Sequence, residues 1–257
     1  MWTKRVLSGC VLLMSIVACD SATSPNARQV GLSFSGVRPA GVAANSAAVM
    51  ANAVGDSLTI TDGANTLVLT RVEVVTREIE LRREGVTSCD SSATTDDCEE
   101  FSLAARLLTL PLAPGASQVL AIEVPAGTYS ELEMKVHKVS DDPGDAAFRA
   151  ANPTWPANTS IRVSGFYNGA AFTFVSDVNF KAEESLVPPL VVGADAATNV
   201  TVRIDLSVWF RNGATGPLID PATAGNGGPN KSLVANNIQN SVKAFEDRDR
   251  DGDERDG

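Results

Sequence analysis

Apolar residues recur at every second position through much of this chain, which predicts strands with one face buried. Val30, Leu32 and Phe34 alternate with Gly31, Ser33 and Ser35. Leu58 and Ile60 repeat the pattern, and so do Leu108, Leu110 and Leu112, then Leu120, Ile122 and Val124, then Leu132, Met134 and Val136. Thr66 to Arg83 is too long for one simple strand, because its apolar set runs Val68, Val72, Val74 and then switches to Val75, Ile79, Leu81. A one-residue slip exchanges the two faces, so a bulge or bend is expected near Val74–Val75. Gly36 to Gly55 shows no clean period.

Turn chemistry punctuates these runs. Pro125-Ala-Gly127-Thr128 combines a proline that fixes φ with a glycine that allows a positive one. Asn168-Gly169, between Ile161–Tyr167 and Ala171–Val175, predicts a two-residue hairpin turn. Leu186 to Val192 contains Pro188 and Pro189 and is expected at a sheet edge, since proline cannot donate to a ladder. Val200, Val202, Ile204 and Leu206 share one face of a later strand. Ser140 to Gly144 reads as a loop, followed by a helical turn or two up to Ala151. Near the end, Asn230 is placed to cap a helix in which Val234, Ile238, Val242 and Phe245 repeat at helical spacing. About nine or ten short strands with one helix predict a mainly β fold, an antiparallel β-sandwich with one C-terminal helix packed on it. The domain is expected to span 28–246, as one unit with no internal repeat.

The first residues read differently. Lys4 and Arg5 precede an apolar run, Val6 to Val17, of about a dozen residues, where a membrane span needs roughly 20. Such a run is a secretory h-region. Ile16-Val17-Ala18-Cys19 then resembles the bacterial lipobox. That resemblance implies cleavage after residue 18, a signal peptide over 1–18 and a diacylglycerol thioether on Cys19. Each buried methylene contributes about 0.8 kcal/mol and stable attachment needs about two chains, so diacylation suffices as an anchor. Residues 19–27 then carry the lipid and a polar tether, DSATSPN. The location implied is the bacterial cell envelope, on a membrane and facing the periplasm or the cell exterior.

Export changes the reading of the four cysteines. Cys10 leaves with the leader and Cys19 carries lipid, so Cys89 and Cys98 are expected to pair in an oxidising compartment. Closing a ring of about ten residues constrains the unfolded chain by roughly 2.5–3 kcal/mol in the entropic account. Zinc pairs sit closer together and come in fours, so a metal role for these two is disfavoured. The net charge of −10 argues against a nucleic-acid partner, which needs clustered Lys and Arg. Aromatic residues make up only 5%, too few for a stacking groove.

PAGTYSELEMKVHK (125–138) resembles a strand of bacterial envelope lipoproteins of the PAGTY type, a large family without an agreed activity. Further similarity lies in IRVSGFYNGAAFTFVSD, LVPPLVV, VRIDLSVWFRNGATGPLIDPATAGNGGPN and KAFEDRDRDGDERDG. The resemblance implies a secreted β-sandwich and transfers no catalytic residue.

Candidate chemistry is sparse. The acidic tail, 247–257, holds Asp247, Asp249, Asp251 and Asp253 at alternate positions, with Gly252 where a calcium loop needs its sharp turn. The match stops there: Arg255 falls at loop position nine and Gly257 at eleven, with no glutamate at twelve. The competing reading is a solvated acidic tail. His137, the one histidine, is expected to point outward from its strand, and no G-x-S-x-G elbow accompanies it. Asp141, Asp142 and Asp145 fit a charged turn more simply than a cation site. Gly225–Ser232 departs from a phosphate loop, since Asn230 precedes Lys231 and Pro229 removes an amide. Trp155, in NPTWPAN, is the one candidate for an exposed ligand-contacting ring. These readings converge on a lipid-anchored, non-enzymatic envelope protein with a binding, adhesion or structural role, needing no cofactor, its partner an envelope protein or glycan. A calcium-dependent or carbohydrate-contacting module is the alternative, and a carboxylate-based hydrolase a more distant one.

Overall fold

Two sheets carry most of the regular structure in the computed structural model, which describes residues 27–36, 52–53, 57–86, 98–193, 198–213 and 215–254. The smaller sheet has the order β13-β12-β1-β7, formed by Val242–Glu246, Thr198–Ile204, Ala27–Ser35 and Ser117–Pro125. The larger is built on β4 (Thr66–Arg83). β3 (Leu58–Thr61) and β9 (Ile161–Tyr167) flank its first half, with β2 (Asn52–Ala53) beyond β3 and β10 (Ala170–Ser176) beyond β9. β5 (Cys98–Ser102), β6 (Arg106–Thr109) and β8 (Gly127–Val136) flank its second half, and β11 (Phe180–Val192) pairs with β8. Leu32, Phe34, Val200 and Val202 from one sheet meet Leu67, Val72, Ile79 and Leu132 from the other in one core. The molecule is a β-sandwich with antiparallel pairing throughout, except that β1 runs parallel to β12.

The end of the chain differs from the expected single helix. The described residues form two short α-helices, α1 (Ala146–Ala151) and α2 (Lys231–Gln239), and the chain leaves α2 to form β13. Val234 and Ile238 bury the helix face as their spacing predicts. Val242 also continues that spacing, but Val242 and Ala244 equally satisfy a period of two, with Lys243 exposed between them. The open edge of β12 decides the matter, because residues 242–246 pair with Ile204 back to Val200. Ser241 makes the turn: its hydroxyl donates to the Ile238 carbonyl at 2.6 Å and accepts from Trp209 Nε1 at 2.9 Å. Asn230 begins α2 without capping it, since its side-chain amide donates to Thr223 Oγ1 at 2.9 Å.

The face switch in β4 occurs, at different places from the one expected. Register shifts fall between Leu69 and Arg71 and around Glu78, whose φ is +51°. Between them, residues 72–76 are buried on both faces. Val72 and Val74 enter the main core, whereas Val75 meets Val139 and Phe148 in a second, small cluster. Residues that look like a switch in the sequence are thus two faces, both covered.

The Asn-Gly turn forms as expected, whereas Gly127 of the PAGT turn opens β8 without the positive φ expected of it. Asn168 and Gly169 have φ of +50° and +82° and join β9 to β10. Asn168 Oδ1 also accepts from the Thr66 amide at 2.8 Å, which ties this hairpin to the β3–β4 turn. In PAGTY, Tyr129 is fully buried and its hydroxyl donates to the Pro125 carbonyl at 2.9 Å, closing the turn between β7 and β8. β11 pairs with β8, and its register breaks between Ser185 and Leu190, where Pro188 and Pro189 fall.

Candidate functional site

The acidic tail is built into the fold. Gly31, Ser33 and Ser35, the small and polar positions of β1, are buried, and so are Asn199, Thr201 and Arg203 of β12. Residues 247–254 account for this, because they bond to that polar sheet face. The Asp247 amide donates to the Asn199 carbonyl at 3.0 Å, and Asn199 Nδ2 donates to the Asp247 carbonyl at 3.0 Å and to Thr201 Oγ1 at 3.1 Å. Ser33 Oγ donates to Asn199 Oδ1 at 2.8 Å. Further on, the Ala116 amide donates to the Arg250 carbonyl at 3.1 Å, and Arg203 pairs with Glu254.

Within the tail the carboxylates organise their own loop. Asp247, fully buried, accepts from the Gly252 amide on Oδ2 at 3.1 Å. Asp249 Oδ1 accepts from the Asp251 amide at 3.2 Å, and Asp251 Oδ1 from the Asp253 amide at 2.8 Å. Gly252, at φ +83°, supplies the left-handed turn. Asp247, Asp249 and Asp251 each bring one oxygen within 4.8 Å of the others. Asp253, the fourth residue expected, is not in that group. A strand, β13, leads into the loop rather than the helix expected. Three converging hard oxygens suit a divalent cation such as calcium, which takes six to eight such ligands.

His137 does not point outward. It is largely buried, and its Nε2 lies 2.8 Å from Asp145 Oδ1. Asp145 Oδ2 accepts from the Ser140 amide at 2.8 Å and from Ser140 Oγ at 3.2 Å. Burial alone would push the Asp145 carboxyl up, but the Ser140 amide and the His137 ring outweigh it and hold it below the usual range. The order is serine, aspartate, histidine. A nucleophile would need the histidine in the middle to take the hydroxyl proton, and here the carboxylate stands there. The trio instead ties residues 137–145 together, beside the Val139 and Phe148 that cover Val75.

The remaining candidates find structural partners. Arg149 donates to the carbonyls of Ser140, Asp141 and Asp142, so a guanidinium occupies the place a cation would take in that turn. Trp155 is half-buried, edge-on to Phe148 with centroids 6.1 Å apart; Arg162 lies 4.8 Å over the ring, and Nε1 donates to the Thr159 carbonyl at 3.0 Å. A cavity of about 110 Å³ opens beside it, lined by Ser140, Asp141, Arg149 and Asn158 among others. Small-molecule sites usually run to about 300–1,000 Å³, so this one falls short of a sugar. Its one carboxylate, Asp141, does not make the pair that glycosidase chemistry requires. Lys231 pairs with Asp177 at 2.8 Å, which gives the glycine-rich loop before α2 an ordinary anchoring role.

Cys19 and Cys89 lie outside the described residues; Cys98 opens β5 and is buried. Sequence reasoning missed Asn199, which joins the tail to both strands beneath it. A polar residue just before the alternating Val200, Val202 and Ile204 was the available signal. It also missed Asp62, whose carboxylate accepts from the amides of Leu218, Asn65 and Ala64 and is held well below the usual range by them. The turn signal T-D-G-A-N contained it.

Fold and loop together define a mainly β sandwich carrying a carboxylate loop against its smaller sheet. No protein-family model matches the chain, and no curated protein does. Among solved structures, MbnP from Methylosinus trichosporium is similar at 14% identity over 74% of this chain and 82% of its own, with a TM-score of 0.34. Likeness at that level carries no argument about function.

Proposed function

We propose that this chain is a lipid-anchored protein of the bacterial envelope whose β-sandwich serves a non-enzymatic binding, adhesion or structural role. The observation that carries the reading is Ile16-Val17-Ala18-Cys19 directly after a short apolar run. The β-sandwich supports it, since β1 begins at Ala27, leaving a polar tether between Cys19 and the fold. No helix among the described residues is long and apolar enough to cross a membrane. A bond between Cys89 and Cys98 belongs to the same reading, because export brings oxidising conditions. Labelled palmitate should enter the wild-type protein in growing bacteria and be absent from Cys19→Ala; label retained by that variant would refute the anchoring.

A second reading is favoured by the convergence of Asp247, Asp249 and Asp251 around Gly252. Calcium would bind there weakly, with the carboxylates of Asp247, Asp249 and Asp251 as its protein ligands, and would add to the bonds that hold the tail on the small sheet. Calorimetric titration at millimolar calcium should give heat with the wild type and none with Asp249→Asn/Asp251→Asn. Equal behaviour of the two proteins would remove the site.

A further inference from the structure

The anchored end of the sandwich carries an apolar strip. Ala27 lies opposite Pro125, Gly127 opposite Val192, and Thr128 opposite Val191, so the start of β1, the PAGTY turn and the end of β11 occupy one end of the molecule. At that end β11 exposes Val187 (82%), Pro188, Pro189 and Val191 (63%). Leu186 to Gly193 contains no charged or hydrogen-bonding side chain, while Leu186, Leu190 and Val192 point inward. Prolines at 188 and 189 remove two amide donors, which makes this edge a poor template for another strand.

We infer that this strip rests on the lipid surface to which the chain is tethered. The inference depends on the lipid-anchor reading above. Seven residues lie between Cys19 and Ala27, and the eight residue-to-residue steps that join them reach at most about 29 Å. A lipidated Cys19 therefore keeps the β1 start, and the strip beside it, close to the headgroups. Uncharged valine and proline side chains suit the boundary between headgroup and acyl chain. With a net charge of −10 on the chain, the contact would be apolar rather than ionic, and insensitive to salt.

The test uses the full-length protein, purified from membranes, with lipid on Cys19 verified by mass and reconstituted into phosphatidylcholine vesicles with brominated acyl chains. Val187→Trp places a reporter in the strip. Phe166→Trp places one at an exposed position near the β9–β10 turn, beside Val68 at the far end of β4. The Val187→Trp emission should be quenched by bromine, at low and high salt alike, and the Phe166→Trp emission should not. Val191→Trp should repeat the first result. Quenching at neither strip position, or equally at all three positions, would overturn the inference while leaving the anchor intact. Absence of lipid on Cys19 would overturn both.

Discussion

Asn199 Nδ2 donates to the carbonyl of Asp247 at 3.0 Å, from the middle of a polar sheet face to a tail that looks in sequence like solvated charge. The same side chain accepts from Ser33 and donates to Thr201, so both of its polar atoms are engaged in buried contacts. Asn199→Ala leaves those partners unpaired and should cost about 1–3 kcal/mol of stability. Chemical denaturation reads the loss, and amide exchange should quicken selectively over residues 247–254. An unchanged exchange pattern would mean that the tail is held by something else.

The clasp at His137 predicts a pH dependence. Asp145 has its carboxyl held below the usual range in the folded chain, so it contributes stability above the unfolded carboxyl pKa, near 3.9. That contribution is lost as pH falls through the folded value. Asp145→Asn should therefore destabilise the protein by about 1.5–3 kcal/mol at neutral pH, the value of hydrogen bonds to a charged group. The gap between wild type and variant should narrow below pH 4, followed by thermal melts across that range. A gap constant down to pH 2 would contradict the assignment.

Gly165 is required by close approach. A Cβ there would lie 2.0 Å from the Val68 carbonyl oxygen, where β9 crosses β4. Gly165→Ala forces those strands apart and should destabilise by about 1–3 kcal/mol or more. Gly63→Ala gives a useful contrast, because nothing lies near its Cβ and its cost comes from the positive φ alone. Equal folding of Gly165→Ala and wild type in a thermal melt would contradict the packing described.

Much of the sandwich was legible from alternation, because strands with one wet face write their burial into the sequence. The Asn168-Gly169 hairpin was legible for a local reason, since few residue pairs accept two positive φ angles. What was hidden depended on distant segments. Ser33 and Ser35 read as solvent-facing until the tail, more than two hundred positions later, covers them. Val75 read as a switch of face because the segment carrying Val139 and Phe148 buries it from behind. Val242 fitted both helix and strand, and only the free edge of β12 chose between them. The carboxylate loop was visible as a pattern, although its leading strand and its contact with the sheet were not.

The mass of the intact protein extracted from bacterial membranes bears most directly on the proposed anchoring. Lipid anchoring predicts a chain that begins at Cys19 and is heavier than its amino acids by a diacylglyceryl group. A mature chain that begins elsewhere, or one whose mass is that of its amino acids alone, would contradict it.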